Sequence, residues 1–427
     1  MPDRPPPRAE PPGVPARRAA MRLLDAVLRR GEPLESALPG AARCLPPPDR
    51  GLAHALAAEV LRRLPDLDAL IDSATRQRLP DDAKARTALR LALAQALRLG
   101  TPGHAAIATV LPLVDGGPRK LVHGVFGTLS RQGVALPARP TLPDGVGARW
   151  TKAWGAEVAE AAAQALAAPP PLDLTLADPR GTQDWAARLG ATSLAPGHLR
   201  LAAEHAAVPE LPGFAEGAWW VQDLAASLPA RLLADVDGTV LDLCAAPGGK
   251  ALQLAAQGKI VTAVDASESR LARLRENLTR TGLRAKVVRA DLREWSPPGA
   301  ADAVLLDAPC SATGIFRRHP DVLHRVRPAV IAEAATLQAE LLARAADWVR
   351  AGGVLVYATC SLEPEEGERQ IARFLGERPD YAVAPPLPGE LPVEPTAGGF
   401  VRTTPATLAE AGGCDGFFIA RLRRASA

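Results

Sequence analysis

No run of uninterrupted apolar residues in this chain approaches the roughly 18 that a bilayer-spanning helix needs, so no membrane segment is expected. The opening stretch, MPDRPPPRAEPPGVPARR, lacks the apolar core of a secretory signal. Its prolines and acids also fail to make an amphipathic transit helix. Cysteine is scarce: five in 427 residues, Cys44, Cys244, Cys310, Cys360 and Cys414, with no C-x-x-C pair. That spacing suits neither a disulfide framework nor a zinc site. Reduced thiols, a cytoplasmic location and no metal are the resulting expectations. The net charge of +3 is too small to require a nucleic-acid partner.

What is present is typical of globular chains, with 47% hydrophobic and 23% charged residues. The length exceeds one ordinary core and implies two or three domains. Charge is unevenly spread. Residues 1–135 carry 20 Lys+Arg against 13 Asp+Glu, a net +7, and the rest about −4. A basic front suits an anionic partner, although an Arg- and Ala-rich composition accounts for it equally well. Residues 1–15, rich in proline, read as a disordered tail. From 16 to 135 the pattern is helical. RRAAMRLLDAVLRRG sets Ala20, Leu23, Leu24, Val27 and Leu28 on one face, and further such runs predict an all-α bundle of five or six helices. Residues 136–235 read as a linker, a helix and a small α+β segment.

From residue 236 the rhythm changes. TVLDLCAAPGGK, KIVTAVDAS, AKVVRADLR, ADAVLLDAPC and GGVLVYATC are apolar runs separated by helical patterns, with GFFIARLRR as a last strand. Alternation of this kind predicts an α/β, doubly wound, Rossmann-like domain with a largely parallel sheet, whose ligands sit beyond the carboxyl ends of the strands. DLCAAPGGK, residues 242–250, is not the full dinucleotide fingerprint. Its Gly248–Gly249 pair, between strand and helix, still lets a ligand approach the backbone. Asp265 ends the second strand, where a carboxylate can accept from ribose hydroxyls. Asp291 and Asp307 end the next two. With the aspartate that opens DLCAAPGGK, acids stand at or near four successive strand ends. One alone would read as a helix cap; four favour a ligand with ribose hydroxyls, an amine or a positive charge. S-adenosylmethionine has all of these and no phosphate.

Cys310, in DAPCSATG, and Cys360, in ATCSLEPEE, both lie at strand ends. One strand-end cysteine is most simply packing; two in one cleft invite chemistry. Pro364 suits the first turn of a helix, with Glu365 and Glu366 placed against its dipole. A thiolate beside a methyl donor is what methylation of cytosine carbon 5 needs. Addition to carbon 6 makes carbon 5 nucleophilic, and a base must then remove the carbon 5 proton. Asp307 is placed to hydrogen-bond the ring at N3 or the exocyclic amine. The target base must be unpaired or flipped out.

The series DLCAAPGGK, VDASESRL, DAPCSATGIFRRHPD and YATCSLEPEE resembles the motifs of RNA 5-methylcytosine methyltransferases. The helical front, with DRGLAHALAAEVLR and PGHAAIATVL, resembles a NusB-like RNA-binding domain. Together they resemble the Sun/Fmu family of bacterial 16S ribosomal RNA cytosine-C5 methyltransferases, from about residue 16 to DGFFIARL. The resemblance implies an S-adenosylmethionine-dependent catalytic domain over 236–427, Cys360 as nucleophile and Cys310 in product release. It assigns the cofactor to Cys244, Ala245, Ala246, Pro247, Gly248, Gly249, Lys250, Asp265, Asp291 and Asp307. It implies RNA, 16S or a small-subunit precursor, as partner, and a monomer is expected. Arg317, Arg318 and His319 are candidate phosphate contacts. The chain departs from the family at Ala312, where Ser-Gly-Thr-Gly is usual. It departs again at LDLTLAD, where an Arg-x-Asn is common, and at VHGVFGTL, where an Asn-Ala pair is usual. Other readings are a methyltransferase for transfer RNA or another RNA, and a non-catalytic RNA-binding assembly factor. A DNA cytosine methyltransferase would leave Cys360 unexplained.

Overall fold

The computed structural model describes residues 11–426. Most of the stretch read as a tail, residues 1–10, lies outside them. Helix α1 (Val14–Arg30) already begins within that stretch. Its predicted apolar face is buried at Ala20, Leu23, Leu24 and Val27, with Leu28 partly covered. Gly31, at φ 69°, ends it in the left-handed conformation that costs glycine least.

The described residues form two compact units, one reaching to residue 148 and including 319–325, the other of 149–318 and the residues from 326 onward. In the first, α1 is followed by α2 (Leu34–Ala41), α3 (Pro47–Arg62), α4 (Leu64–Ser73), α5 (Lys84–Arg98), α6 (Gly103–Val110) and α7 (Gly116–Gln132). Seven helices stand where five or six were expected. The run DRGLAHALAAEVLRRLPDLDALI divides at Arg63, because Pro65 lacks the N–H to continue the hydrogen-bond ladder. Helix α5 lies at the centre of the core, buried from Ala88 to Gln95. Part of the unit's positive charge faces inward. Arg86 pairs with Asp68 and Asp72 at 3.1 and 2.6 Å, and Arg90 pairs with Asp68 at 2.7 Å. The excursion His319–Arg325, which includes α14 (Val322–Arg325), also belongs here: the His324 ring donates to the Leu61 carbonyl at 2.7 Å.

The division falls inside α8 (Asp144–Trp154). In the second unit, α9 (Ala156–Ala165) precedes a three-stranded antiparallel sheet in the order β2 (His198–Leu201), β1 (Leu172–Leu176), β3 (Trp219–Val221). Between β1 and β2 runs α10 (Thr182–Leu189). Helix α11 (Leu224–Arg231) follows, started by the Asp223 carboxylate accepting from the Ala225 N–H. Asp173 of β1 and Arg200 of β2 form a buried bidentate pair at 2.7 Å.

The main sheet contains β4 (Thr239–Leu243), β5 (Ile260–Asp265), β6 (Lys286–Arg289), β7 (Ala301–Asp307) and β8 (Val349–Thr359), all parallel. Strand β11 (Phe417–Arg424) joins antiparallel to β8, and β9 (Tyr381–Val383) and β10 (Val401–Thr403) pair with β11. The order β10-β11-β8-β7-β4-β5-β6 places β5 and β7 on opposite sides of β4. That reversal opens a crevice beyond the carboxyl ends of β4 and β7, where ligands of such sheets bind. Helices α12 (Gly249–Ala256), α13 (Glu268–Thr281), α15 (Pro328–Asp347) and α16 (Glu368–Glu377) complete the unit. Pro364 opens a three-residue 3₁₀ turn, Pro364–Glu366, and α16 starts only at Glu368. Among the described residues, no helix is long and apolar enough to cross a membrane.

Candidate active site

Strand β4 runs directly into the loop Cys244–Gly248, and α12 starts at Gly249. Cys244 itself takes the left-handed conformation, φ 59°. Gly248 has φ 112°, and a Cβ there would fall 2.3 Å from Cδ1 of Leu274. Only glycine fits this turn. The loop is secured by Asp265 at the end of β5, whose carboxylate accepts from the Ala246 N–H at 3.2 Å and the Ser267 N–H at 2.8 Å. Burial pushes the Cys244 thiol well up, and the nearby Asp307 and Asp265 charges add to this.

Two carboxylates lie behind the loop. Asp307, at the end of β7, accepts from Lys250 Nζ at 2.8 Å. Asp242 is fully buried, and neither of its oxygens has a hydrogen-bond partner. Burial pushes its carboxyl up to about 8; Lys250 opposes the shift and the charges of Asp307 and Asp265 reinforce it. Asp242 is therefore mostly protonated at neutral pH. An unpartnered buried acid, a glycine cradle and the Asp265 carboxylate fit a small molecule carrying hydroxyls and an amine. Asp291 lies two residues beyond β6, and its carboxylate is turned onto its own loop. It grips Arg293 with contacts down to 2.5 Å, which holds the carboxyl down at about 2. The Ala290 N–H donates to the Asp265 carbonyl at 3.1 Å, so this loop does border the cradle.

The two cysteines meet. Cys310 follows β7 and Cys360 follows β8, and their Sγ atoms are 3.4 Å apart. Both are partly exposed. The parallel pairing of β7 with β8 delivers them: Asp307 is in register with Ala358, and the Ala308 N–H donates to the Ala358 carbonyl at 2.9 Å. Beyond the strands, the Gly314 N–H donates to the Cys360 carbonyl at 3.0 Å. A Cβ on Gly314 would lie 1.9 Å from the Gly416 carbonyl oxygen, so this loop also needs its glycine. The Cys310 thiol is pushed well up, first by its hydrogen bond to Cys360, then by burial and by the charges of Cys360 and Glu366.

Arg317 and Arg318 do not reach outward as a phosphate contact requires. Arg317 is buried and donates to the Gly412 carbonyl at 2.6 Å. Arg318 pairs with Asp223 at 2.5 Å and Asp415 at 3.4 Å. In this arrangement both guanidiniums are engaged by internal partners. His319 is half-buried and belongs to the helical unit.

Other residues gave no distinctive signal in the sequence. Gln338, in the middle of α15, donates to the Pro309 carbonyl at 2.8 Å and to Glu366 at 3.0 Å. Glu366 is not a solvated helix-dipole acid but fully buried, whereas Glu365 is only half-buried and pairs with Arg369 at 2.8 Å. Glu363 accepts from the Trp150 indole at 3.1 Å, fixing the segment after Cys360 to α8.

Comparison with known proteins supplies the lineage. The profile of 16S rRNA methyltransferase RsmB/F matches residues 230–423, and that of the NusB family matches residues 14–125. The ribosomal RNA small subunit methyltransferase B of Klebsiella pneumoniae subsp. pneumoniae is 37% identical over 414 residues, spanning 88% of this chain and 93% of that one. The protein of the same name from Citrobacter koseri is 36% identical, spanning 95% and 98%. The crystal structure of PH0851 superposes with a TM-score of 0.73 over 98% of this chain and 100% of that one; at 23% identity it shows a shared fold. The chain thus belongs to the RsmB/F family of 16S rRNA methyltransferases, with S-adenosylmethionine as methyl donor.

Proposed function

We propose that this protein methylates carbon 5 of a cytosine in 16S ribosomal RNA, with Cys360 as the nucleophile that bonds to carbon 6 of the ring. The observation that carries the reading is the pair of thiols 3.4 Å apart at neighbouring strand ends, beside the cradle in which Asp265, Asp242 and Gly248 would hold the cofactor. When bound, S-adenosylmethionine supplies an electrophilic methyl group on its sulfonium.

The protein's own groups divide the remaining work. The Cys360 thiolate adds to carbon 6, and the electron pair of the 5,6 double bond moves into the ring, making carbon 5 nucleophilic. Lys250 occupies Oδ2 of Asp307 and leaves Oδ1 to accept from the exocyclic amine or a protonated N3. The Cys310 thiol keeps its proton, held up by its hydrogen bond to Cys360 and by burial. Once Cys360 has become a thioether, that hydrogen bond and the Cys360 charge are gone, and the Cys310 thiol becomes easier to ionise. Having released its proton to solvent, the Cys310 thiolate can then take the carbon 5 proton after methylation, so that the carbon 5 electrons return to the ring and expel Cys360 as a thiolate.

The test pairs Cys310→Ala with Cys360→Ala on 16S RNA with S-adenosylmethionine. Cys310→Ala is expected to accumulate a denaturant-resistant protein–RNA complex, and Cys360→Ala to form none. The reverse result would exchange the two roles. Wild type that yields no 5-methylcytosine from 16S RNA, naked or in small-subunit particles, would overturn the substrate.

A further inference from the structure

Glu366 has no part in the steps above, yet its carboxylate accepts four hydrogen bonds in a fully buried position. Oε1 accepts from the Ser311 N–H at 2.8 Å and from Gln338 Nε2 at 3.0 Å. Oε2 accepts from the hydroxyls of Ser311 and Ser361. These four donors match the capacity of an ionised carboxylate. Ser311 immediately follows Cys310, and Ser361 immediately follows Cys360. The Glu366 carbonyl in turn accepts from Tyr357 Oη at 2.8 Å and Thr359 Oγ1 at 3.3 Å, both on β8. The residue is thus anchored by its backbone to the strand that delivers one thiol. Its side chain grips the loop that delivers the other.

We propose that Glu366 is a positioning residue for the two-thiol centre, fixing the Cys310 loop against the Cys360 loop so that the sulfur atoms meet. The assignment rests on the two-cysteine reading given above. The strand pairing ends before either cysteine, and beyond it Glu366 adds to the Gly314 to Cys360 backbone bond, the Leu362 N–H to Thr313 Oγ1 bond at 3.0 Å and the Ser361 hydroxyl contacts with Ser311 and Thr313 at 3.3 Å. The charge acts in the same sense as the geometry. Behind the Cys360 hydrogen bond, burial and the Cys360 charge, the Glu366 charge adds to what opposes ionisation of Cys310. Burial raises the Glu366 carboxyl above its ordinary value, and the hydroxyl, amide and backbone donors around it work in the opposite sense, toward the carboxylate.

The experiment uses the full-length protein as wild type, Glu366→Gln, Glu366→Ala and Ser361→Ala, with Glu365→Gln as a neighbour control. Limiting iodoacetamide, followed by peptide mass spectrometry, gives the relative alkylation of Cys310 and Cys360 without RNA. Steady-state kinetics on 16S RNA gives kcat and KM. Glu366→Gln is expected to raise Cys310 labelling about tenfold, the effect of one pKa unit on the thiolate fraction. Its kcat is expected to fall about 100-fold, as for a small misplacement of reacting groups, with both KM values within about threefold of wild type. Glu365→Gln is expected to leave both readouts unchanged. Should Glu366→Ala fail to fold, Glu366→Gln and Ser361→Ala carry the test, the latter with an intermediate loss of kcat. Labelling and kcat of Glu366→Gln within about threefold of wild type would overturn the proposal. An inactive wild type whose Cys310 labelling still responds to Glu366→Gln would instead reject the cytosine reading and retain the positioning role.

Discussion

Lys250 Nζ lies 2.8 Å from Oδ2 of Asp307, joining the first turn of α12 to the end of β7 across the crevice. Burial works against the ammonium, but the Asp307 charge and hydrogen bond, with Asp242 behind them, carry the Lys250 pKa above its ordinary value. The pair therefore holds the cofactor loop against the proposed cytosine-binding acid with one ionic contact. The Lys250 charge also works against the burial that raises the Asp242 carboxyl.

Replacing Lys250 with Met strands that contact. Breaking a buried ion pair by removing one partner costs about 3–5 kcal/mol. The Asp307 side chain is 30% exposed, so water recovers part of the loss. Lys250→Met is expected to lower unfolding free energy by about 1–3 kcal/mol, after discounting for that screening. Urea denaturation reads it. A change below about 0.5 kcal/mol would mean that the pair is solvated like a surface contact.

Asp242 makes stability depend on pH. Its carboxyl titrates near 8 in the folded chain, against an ordinary value of 3.8. Between these values the folded state holds a proton that the unfolded state has released, so this contribution is full below about pH 4 and is lost as pH rises through 8. Asp415, also pushed up by burial to about 7, adds a slope of the same sign. Comparing Asp242→Asn with wild type isolates the Asp242 part. The variant's urea midpoint is expected to gain on wild type progressively from pH 5 to pH 8. A constant difference across that range would show that Asp242 is ionised throughout.

The strands and both cysteines were legible because their signals are local. An apolar run ending in a special residue needs no partner to be recognised, and each of the strands β4 to β8 lies on a run read from the sequence. Contacts made at long range left no such trace. Glu366 is buried because Ser311, 55 positions away, and Gln338, 28 away, bring it donors. From EPEE alone it is indistinguishable from the half-buried Glu365. The internal partners of Arg317 and Arg318 were hidden for the same reason. Their acids and carbonyls come from Asp223, Gly412 and Asp415, roughly a hundred residues distant. The short helix α2 carries an internal Pro39, and so the local pattern hid it.

Ala312 is a departure from the family pattern with a physical consequence. It has φ 57°, in the left-handed region where a Cβ costs about 1–2 kcal/mol and glycine does not pay it. Glycine loses more entropy on folding, which offsets part of the gain. Ala312→Gly is therefore expected to stabilise the protein by up to about 1 kcal/mol, with methyl transfer retained. Differential urea midpoints check the first half and tritium incorporation the second. Destabilisation would mean that the Ala312 methyl packs well enough to outweigh its backbone.

Arg318 separates an internal tie from an RNA contact. It bridges Asp223 and Asp415, whose carboxylates would otherwise sit together in a buried place. Removing it leaves two acids facing each other, and Arg318→Met is expected to cost about 3–5 kcal/mol of stability. A residue that neutralises an RNA phosphate behaves differently. Its loss weakens binding at every sequence and lowers the slope of log affinity against log salt by about 0.7 for a single strand. For Arg318→Met, assayed at a temperature where the variant is folded, that slope is expected to match wild type. A reduced slope with little loss of stability would show that the guanidinium leaves its acids when RNA arrives, making the internal pair a resting state of the binding surface.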